Sequence, residues 1–247
     1  MGDVYNFIEI AEDFAATLRA EMDYRREGRN AERFRTNFSA ESYLHVPRVY
    51  WEYSTRRVLT MERLSGVKID DIEALDEAGY DRHQVALHAA RAIIKEILED
   101  GFFHADPHPG NFVIMPGEVI GVMDFGIVGH LEERDRADLT RLYMLGVRMD
   151  AAGIMEQLIQ MGVADHRLNR TGLQRDLRRL LLKYAGLPLK EISAREVIKE
   201  IMPIAFRYHL RLPSDLWLLG KTLAMMEGMG LKLDPDFDIF AVSEPYV

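Results

Sequence analysis

HADPHPGN, residues 104–111, and DFG, residues 124–126, decide how the rest of the chain is read. The first stretch packs two His, an Asp and an Asn among two Pro and a Gly, a composition that breaks helix and sheet. Metal ligands, a phosphoryl-transfer loop and a capped polar turn without chemistry all compete for it. As metal ligands, His104, Asp106 and His108 alternate and would share one face of a strand, as zinc sites require. Pro107 and Pro109 fall between them and oppose a strand, and the remaining His residues are scattered. DFG alone is a weak signal, since any three-residue match is common.

Phosphoryl transfer accounts for more of the residues. It calls for an Asp base, an Asn five positions on, and a DFG Asp beyond a short hairpin. Asp106, Asn111 and Asp124 have that spacing, with His104 two residues before the base. A nucleoside triphosphate carries several negative charges that one or two Mg²⁺ must neutralise. Mg²⁺ prefers oxygen ligands, so Asn111 and Asp124 supply one oxygen each, with water and phosphate completing the shell. Asp106 stays free of metal to accept a proton or orient the attacking oxygen. Gly110 and Gly126 let the backbone turn close to the ligand.

Outward from the loop, Phe7, Ile10, Ala11, Phe14, Leu18 and Met22 recur at helical spacing and predict one long helix running to about Phe38. LHVPRVYWEY and TRRVLTMERL read as two strands of a hairpin around Ser54-Thr55, ending at Ser65-Gly66. Asp81 caps a second helix, with Gln84 in a capping-box-like position. Its buried stripe is Val85, Ala89, Ile93, Ile97 and Leu98, and Gly101 ends it. NFVIM and EVIGVMDF form a small hairpin around Pro116-Gly117. Helices follow at 132–148, 150–161, 170–185, 193–210 and 213–228. The fold class is therefore α+β, predominantly α.

The chain of 247 residues is long enough for one large domain or two small ones. With 48% hydrophobic and 29% charged residues it reads as globular, and without Cys it has neither disulfides nor thiolate metal sites. A net charge of −9 argues against broad binding to a nucleic-acid polymer or to anionic lipid. No apolar run approaches the roughly 20 residues of a transmembrane segment. The acidic start lacks the basic region of a signal peptide.

These motifs together resemble the UbiB/AarF family of atypical, protein-kinase-like proteins, whose loop is HxDxHPGN. His104, Asp106, His108, Pro109, Gly110 and Asn111 match it, and Asp124, Phe125 and Gly126 match the family's DFG. EMDYRREGRNAERF supplies the ExD acids Glu21 and Asp23, with Glu27 one turn on. VLTMERLSG, RLPSDLWLLGKTL and LDPDFD add to a resemblance that covers nearly the whole chain.

The resemblance implies a kinase-like C-lobe over 66–247 and a remnant of the N-lobe over 1–65. It makes Asp106 the catalytic-loop Asp and assigns Mg²⁺ to Asn111 and Asp124. Glu27 becomes the helix glutamate that pairs with a strand Lys, while Glu21 and Asp23 engage a KxGQ motif. Met61, Glu62 and Leu64 form the hinge beside the adenine of ATP. The implied function is a Mg²⁺-dependent ATPase or phosphotransferase supporting isoprenoid-quinone metabolism. Nucleotide would be its partner, together with an isoprenoid lipid or quinone-biosynthesis proteins. The implied location is the cytoplasm, with a peripheral place at the inner face of the membrane as the second option. The alternative is a catalytically silent module that binds nucleotide, lipid or protein.

KxGQ, the Ala-rich nucleotide loop and the strand with the phosphate-pairing Lys do not occur in these residues. The expectation is therefore the end of an N-lobe plus a C-lobe, inactive as it stands. The competing reading makes Glu21, Asp23 and Glu27 a solvated acidic face, and Trp51, Tyr53 and Phe7 are expected to be exposed. Met225, Met226 and Met229 read as core filler, and Arg178 and Arg179 as a solvated face. His104 reads as a structural hydrogen-bonding residue.

Overall fold

The structure, a computed structural model, describes residues 23–164, 168–187 and 191–237 together with Val242. The predicted stripe from Phe7 to Met22, and with it Glu21, lies outside these residues. Helix α1 spans Tyr24–Asn37 and buries Gly28, Ala31 and Phe34. The prediction of one unbroken helix to Phe38 needs correction. Asp23 has φ −100° and ψ 87°, and its carboxylate accepts the Arg25 N–H at 3.1 Å. A short acidic side chain that satisfies a free backbone N–H favours a helix start over a helix interior.

The predicted hairpin over 44–64 forms in part: the Tyr50 N–H donates to the Thr60 carbonyl and the Glu62 N–H to the Arg48 carbonyl, each at 2.8 Å. Strand β1 is only Leu44–His45, a 3-10 turn covers Trp51–Tyr53, and a single bridge joins Val49 to Met61. Beyond that bridge a side-chain hydroxyl takes the place of the ladder. Ser54 Oγ donates to the Tyr50 carbonyl at 2.8 Å and accepts the Thr60 N–H at 2.9 Å. Ser and Thr compete with sheet pairing in this way. Trp51 is half-buried rather than exposed, and its indole N–H donates to Glu32 Oε1 at 2.6 Å. Tyr53 is 68% exposed, as expected.

Strands β2 (Val67–Lys68), β4 (Phe112–Met115) and β5 (Val119–Val122) join β1 in a sheet of order β1-β5-β4-β2. Strands β4 and β5 form the hairpin predicted around Pro116-Gly117, with Phe112 opposite Val122. Helix α2 (Ile72–Glu77), capped by Asp71, has no counterpart in the sequence reading.

Helix α3 (Arg82–Ile94) starts as expected, with the Asp81 carboxylate accepting the N–H groups of His83 and Gln84. It widens into a π turn over Lys95–Asp100 before stopping at Gly101. Gly101 has φ +58°, and a Cβ there would lie 2.3 Å from the Leu131 carbonyl oxygen.

Strands β3 (Phe102–His104) and β6 (Val128–His130) pair antiparallel on either side of the loop and the DFG turn. Neither was predicted, because three residues are too few for a period-2 pattern. Gly129 faces the Phe103 ring so closely that a Cβ would sit 2.1 Å from Cζ.

The predicted C-terminal helices are α4 (Glu133–Val147), α5 (Ala151–Gln160), α6 (Arg170–Tyr184), α7 (Ala194–Arg207) and α8 (Ser214–Leu233). The last continues to Leu233 instead of ending at 228. One core gathers Phe34, Phe102, Phe103 and Phe125 with Leu219, Met226 and Met229 of α8. A second joins Ala151, Met155 and Ile159 to Leu173 and Leu177. Met226 and Met229 are core residues, and Arg178 and Arg179 are exposed. The architecture is α+β and predominantly α. Among the described residues no helix is long and apolar enough to cross a membrane.

Candidate active site

Strand β3 delivers His104 to the start of the loop, and β4 begins at its end, so a paired strand fixes the loop on each side. Between them the chain folds on itself. The His108 N–H donates to the Asp106 carbonyl at 2.6 Å, and the Asn111 N–H to the His108 carbonyl at 2.8 Å. Asn111 Nδ2 donates to the Asp106 carbonyl at 3.2 Å. One amide group therefore ties the two ends of the Asp106–Asn111 spacing together. Across the hairpin, the Met123 N–H donates to the Asn111 carbonyl at 2.9 Å. This seats the residue before Asp124 against the loop.

Phe125 is fully buried and packs at a tilt against Phe34 of α1, 5.4 Å between ring centroids. Asp124 stays exposed beside it, with Oδ1 accepting the Gly126 N–H at 2.8 Å. Helix α1 grips the same turn from the other side. Asn30 Nδ2 donates to the Phe125 carbonyl at 2.8 Å, and the Phe125 N–H reaches Glu27 Oε1 at 3.5 Å. Burial pushes the Glu27 carboxyl above the usual carboxylate range, and the charge of Asp124 adds to the rise. Glu27 thus lies beside the DFG turn, not on a solvated face, and pairs with no Lys or Arg among the described residues.

Each histidine of the loop spends Nδ1 on the loop's own backbone. His104 Nδ1 accepts the Asp106 N–H at 3.1 Å, and His108 Nδ1 accepts the Gly110 N–H at 3.1 Å. His104 Nε2 is enclosed, facing the Asp124 backbone without a partner in hydrogen-bond geometry. Burial holds this imidazole below its ordinary pKa. Among the described residues no group of three or more His, Cys, Asp or Glu could hold a metal ion. His104 is structural, as expected.

Beneath the loop, Glu96 in the π turn accepts the His104 N–H at 2.9 Å. Burial pushes its carboxyl up to about 8, against the pull of that N–H, so it is protonated at neutral pH. From α8, Thr222 Oγ1 donates to the His104 carbonyl at 3.3 Å, and Lys221 Nζ lies 2.7 Å from Asp106 Oδ1.

The residues expected at the hinge lie near β1 and β5 and the Val49 bridge. Met61 bridges Val49, and Leu64 Cδ1 would be 2.9 Å from a Cβ on Gly121. The Glu62 carboxylate is taken up by the Arg48 N–H and by His45 Nε2, each at 3.1 Å. The Arg48 N–H is the main cause that holds this carboxyl below the usual carboxylate range.

Sequence reasoning gave no role to Glu96, Asn30, Thr222 or Lys221. Lys221 does stand within RLPSDLWLLGKTL, but its place against Asp106 depends on how a helix more than a hundred residues downstream packs.

A loop, an Asn and a DFG turn held together in this way, on a mostly helical lobe, define an atypical kinase-like protein. Residues 2–158 match the ABC1 atypical kinase-like domain, and residues 177–238 match the UbiB helical domain. The chain belongs to this UbiB family of atypical kinase-like proteins. It is 36% identical over 243 residues to a probable protein kinase UbiB from Xylella fastidiosa (strain M23), covering 96% of this chain and 44% of that one. It is also 36% identical over 239 residues to the uncharacterised protein sll1770 of Synechocystis sp., covering 96% and 41%. The chain thus spans less than half the length of these relatives. The Mycobacterium tuberculosis protein of the Rv3197–erythromycin complex shares the fold, with a TM-score of 0.67 and 19% identity over 100% of this chain and 62% of that one.

Proposed function

We propose that this chain carries the Mg²⁺-nucleotide and phosphoryl-transfer half of an atypical kinase or ATPase, serving isoprenoid-quinone metabolism. The observation that carries the proposal is the tie between Asp106 and Asn111, with Met123 bound to Asn111 so that Asp124 follows beside the loop. The donors suit a hard cation. Asn111 spends its amide N–H on Asp106 and keeps its side-chain oxygen free, and Asp124 presents an exposed carboxylate. Mg²⁺, when bound, supplies neutralisation of phosphate charge. Asn111 and Asp124 hold it, and Asp106 accepts the proton of the attacking oxygen. Glu27 supports the DFG turn from α1.

On this proposal residues 1–65 complete part of an N-lobe and 66–247 form the C-lobe, with Met61, Glu62 and Leu64 beside the adenine. The quinone link rests on the family resemblance and on the UbiB name of the relatives. KxGQ and the Lys strand are not among these residues, so ATP turnover by the 247-residue chain alone is expected near background.

Calorimetric titration with Mg²⁺ and nucleotide tests the site. Asp124→Asn should weaken binding at least tenfold, since a metal-bound carboxylate loses its charge. Unchanged affinity would remove Asp124 from the metal site. Mg²⁺-dependent binding with no turnover, even when the family's KxGQ segment and Lys strand are supplied, would favour the silent binding module.

A further inference from the structure

The loop that should manage the transferred phosphoryl group carries no cation of its own. Between His104 and Asn111 there is no Lys or Arg. The two imidazoles each spend Nδ1 on a backbone N–H of the loop. Lys68, from β2, reaches the loop only at its backbone, donating to the Gly110 carbonyl at 2.7 Å. Yet Asp106, Asp124 and a nucleotide's phosphates would bring several negative charges together, and phosphoryl transfer depends on neutralising them.

Helix α8 fills this gap from outside the loop. Lys221 Nζ donates to Asp106 Oδ1 at 2.7 Å, and among the described residues it is the cation paired with that carboxylate. The root of the side chain is fixed while its head, paired with Asp106, stays accessible to solvent. Thr222, the next residue, is fully buried and bonded to the His104 carbonyl, and Leu219 and Met226 are buried in the core on either side. Lys221 itself is 47% exposed. A flexible four-carbon stem with three donors can leave one oxygen for another nearby.

We propose that Lys221 is a catalytic residue. It pairs with Asp106 in the resting site and engages the terminal phosphoryl oxygens of a bound nucleoside triphosphate. In the transfer, the acceptor oxygen forms a bond to the terminal phosphorus. The bond from that phosphorus to the bridging oxygen breaks, and its electron pair leaves on the diphosphate. The acceptor's proton passes to Asp106. Lys221 stays protonated throughout, offering its N–H groups to the oxygens on which charge gathers. This role rests on the function proposed above, which it extends to a residue outside the motif.

The test compares the affinities of Mg²⁺-ADP and a Mg²⁺-bound non-hydrolysable ATP analogue. Lys221→Met should lower affinity for the triphosphate about tenfold or more while leaving the diphosphate within about twofold, because a charge-assisted phosphate contact is lost. Lys221→Arg should retain triphosphate affinity within about threefold. Lys221→Gln serves as the neutral variant if Lys221→Met fails to fold. In an Asp106→Asn background Lys221→Met should still cost the triphosphate about tenfold. Loss of that cost would show that Lys221 only neutralises Asp106, and would overturn the proposal. Equal weakening of both nucleotides, or of neither, would overturn it too, leaving the metal site standing as long as Asp124→Asn weakens both. Absence of any Mg²⁺-dependent nucleotide binding in the unsubstituted chain would overturn the site and the role of Lys221 together.

Discussion

Replacing Glu96 by Gln should leave the fold intact and remove a large part of its pH dependence. Glu96 is 6% exposed in the π turn below the loop, and it accepts the His104 N–H at 2.9 Å. Its carboxyl titrates at about 8 in the folded protein against 4.5 as a free side chain. A group whose folded pKa is raised stabilises the fold fully below its unfolded pKa, and that contribution is lost as pH rises through the folded pKa. Between those values the folded state holds a proton that the unfolded state has released. Stability therefore falls with rising pH by about 1.4 kcal/mol per pH unit. From pH 6 to pH 8 the loss attributable to Glu96 is roughly 2.3 kcal/mol, and it levels off at about 2.7 kcal/mol by pH 9. Gln keeps the carbonyl oxygen that accepts the His104 N–H and carries no charge at any pH. Urea unfolding at pH 6, 7, 8 and 9 should give a stability curve for Glu96→Gln that is flatter than the wild type's by about 3 kcal/mol across the range. At pH 9 the variant should be the more stable protein. Parallel curves would refute the inference that Glu96 is buried as a neutral acid.

Two further outcomes follow from local geometry. Gly129→Ala should cost about 3 kcal/mol in urea unfolding, because the new Cβ would lie 2.1 Å from the buried Phe103 ring; adding Phe103→Leu should recover part of this, and an unshifted midpoint would mean that β3 and β6 are not paired as described. Asp23→Ala should cost about 1 kcal/mol by removing the cap on α1, whereas an unchanged stability would indicate that the helix continues upstream through Asp23.

How far the sequence could be read depended on how local the cause of each feature was. Asp81 capping α3, Gly101 ending it and the turn at Pro116-Gly117 are settled by side chains within a few residues, and each is where the pattern placed it. The same holds for the Asp106–Asn111 spacing, since five residues fix the loop that one amide closes. The hairpin over 44–64 forms only in part, pairing around Val49 and Met61; the rest was misread because strand-forming residues were counted without asking what the Ser54 hydroxyl would do to the ladder. The helix continuing through Asp23 was misread for a similar reason, an apolar period outweighing a capping side chain.

The features that escaped are non-local, and they surround the loop. Glu96, in KEILED, carries no signal of its own until the π turn directs it beneath His104. Lys221 reads as one of many exposed cations until α8 packs Thr222 onto the His104 carbonyl. His104 joins both, receiving the Glu96 carboxyl on its N–H and Thr222 on its carbonyl, while its ring nitrogen holds the Asp106 N–H. A motif therefore names the groups that meet the ligand, but their positions are set by partners that the motif does not contain. Shifting α8 against β6 would move Lys221 and Thr222 relative to the His104 carbonyl, which β3 holds to β6. Changing Glu96 would act on the same backbone from below. The geometry at Asp106 consequently depends on packing between the two lobe elements least visible in the pattern, the π turn of α3 and the middle of α8.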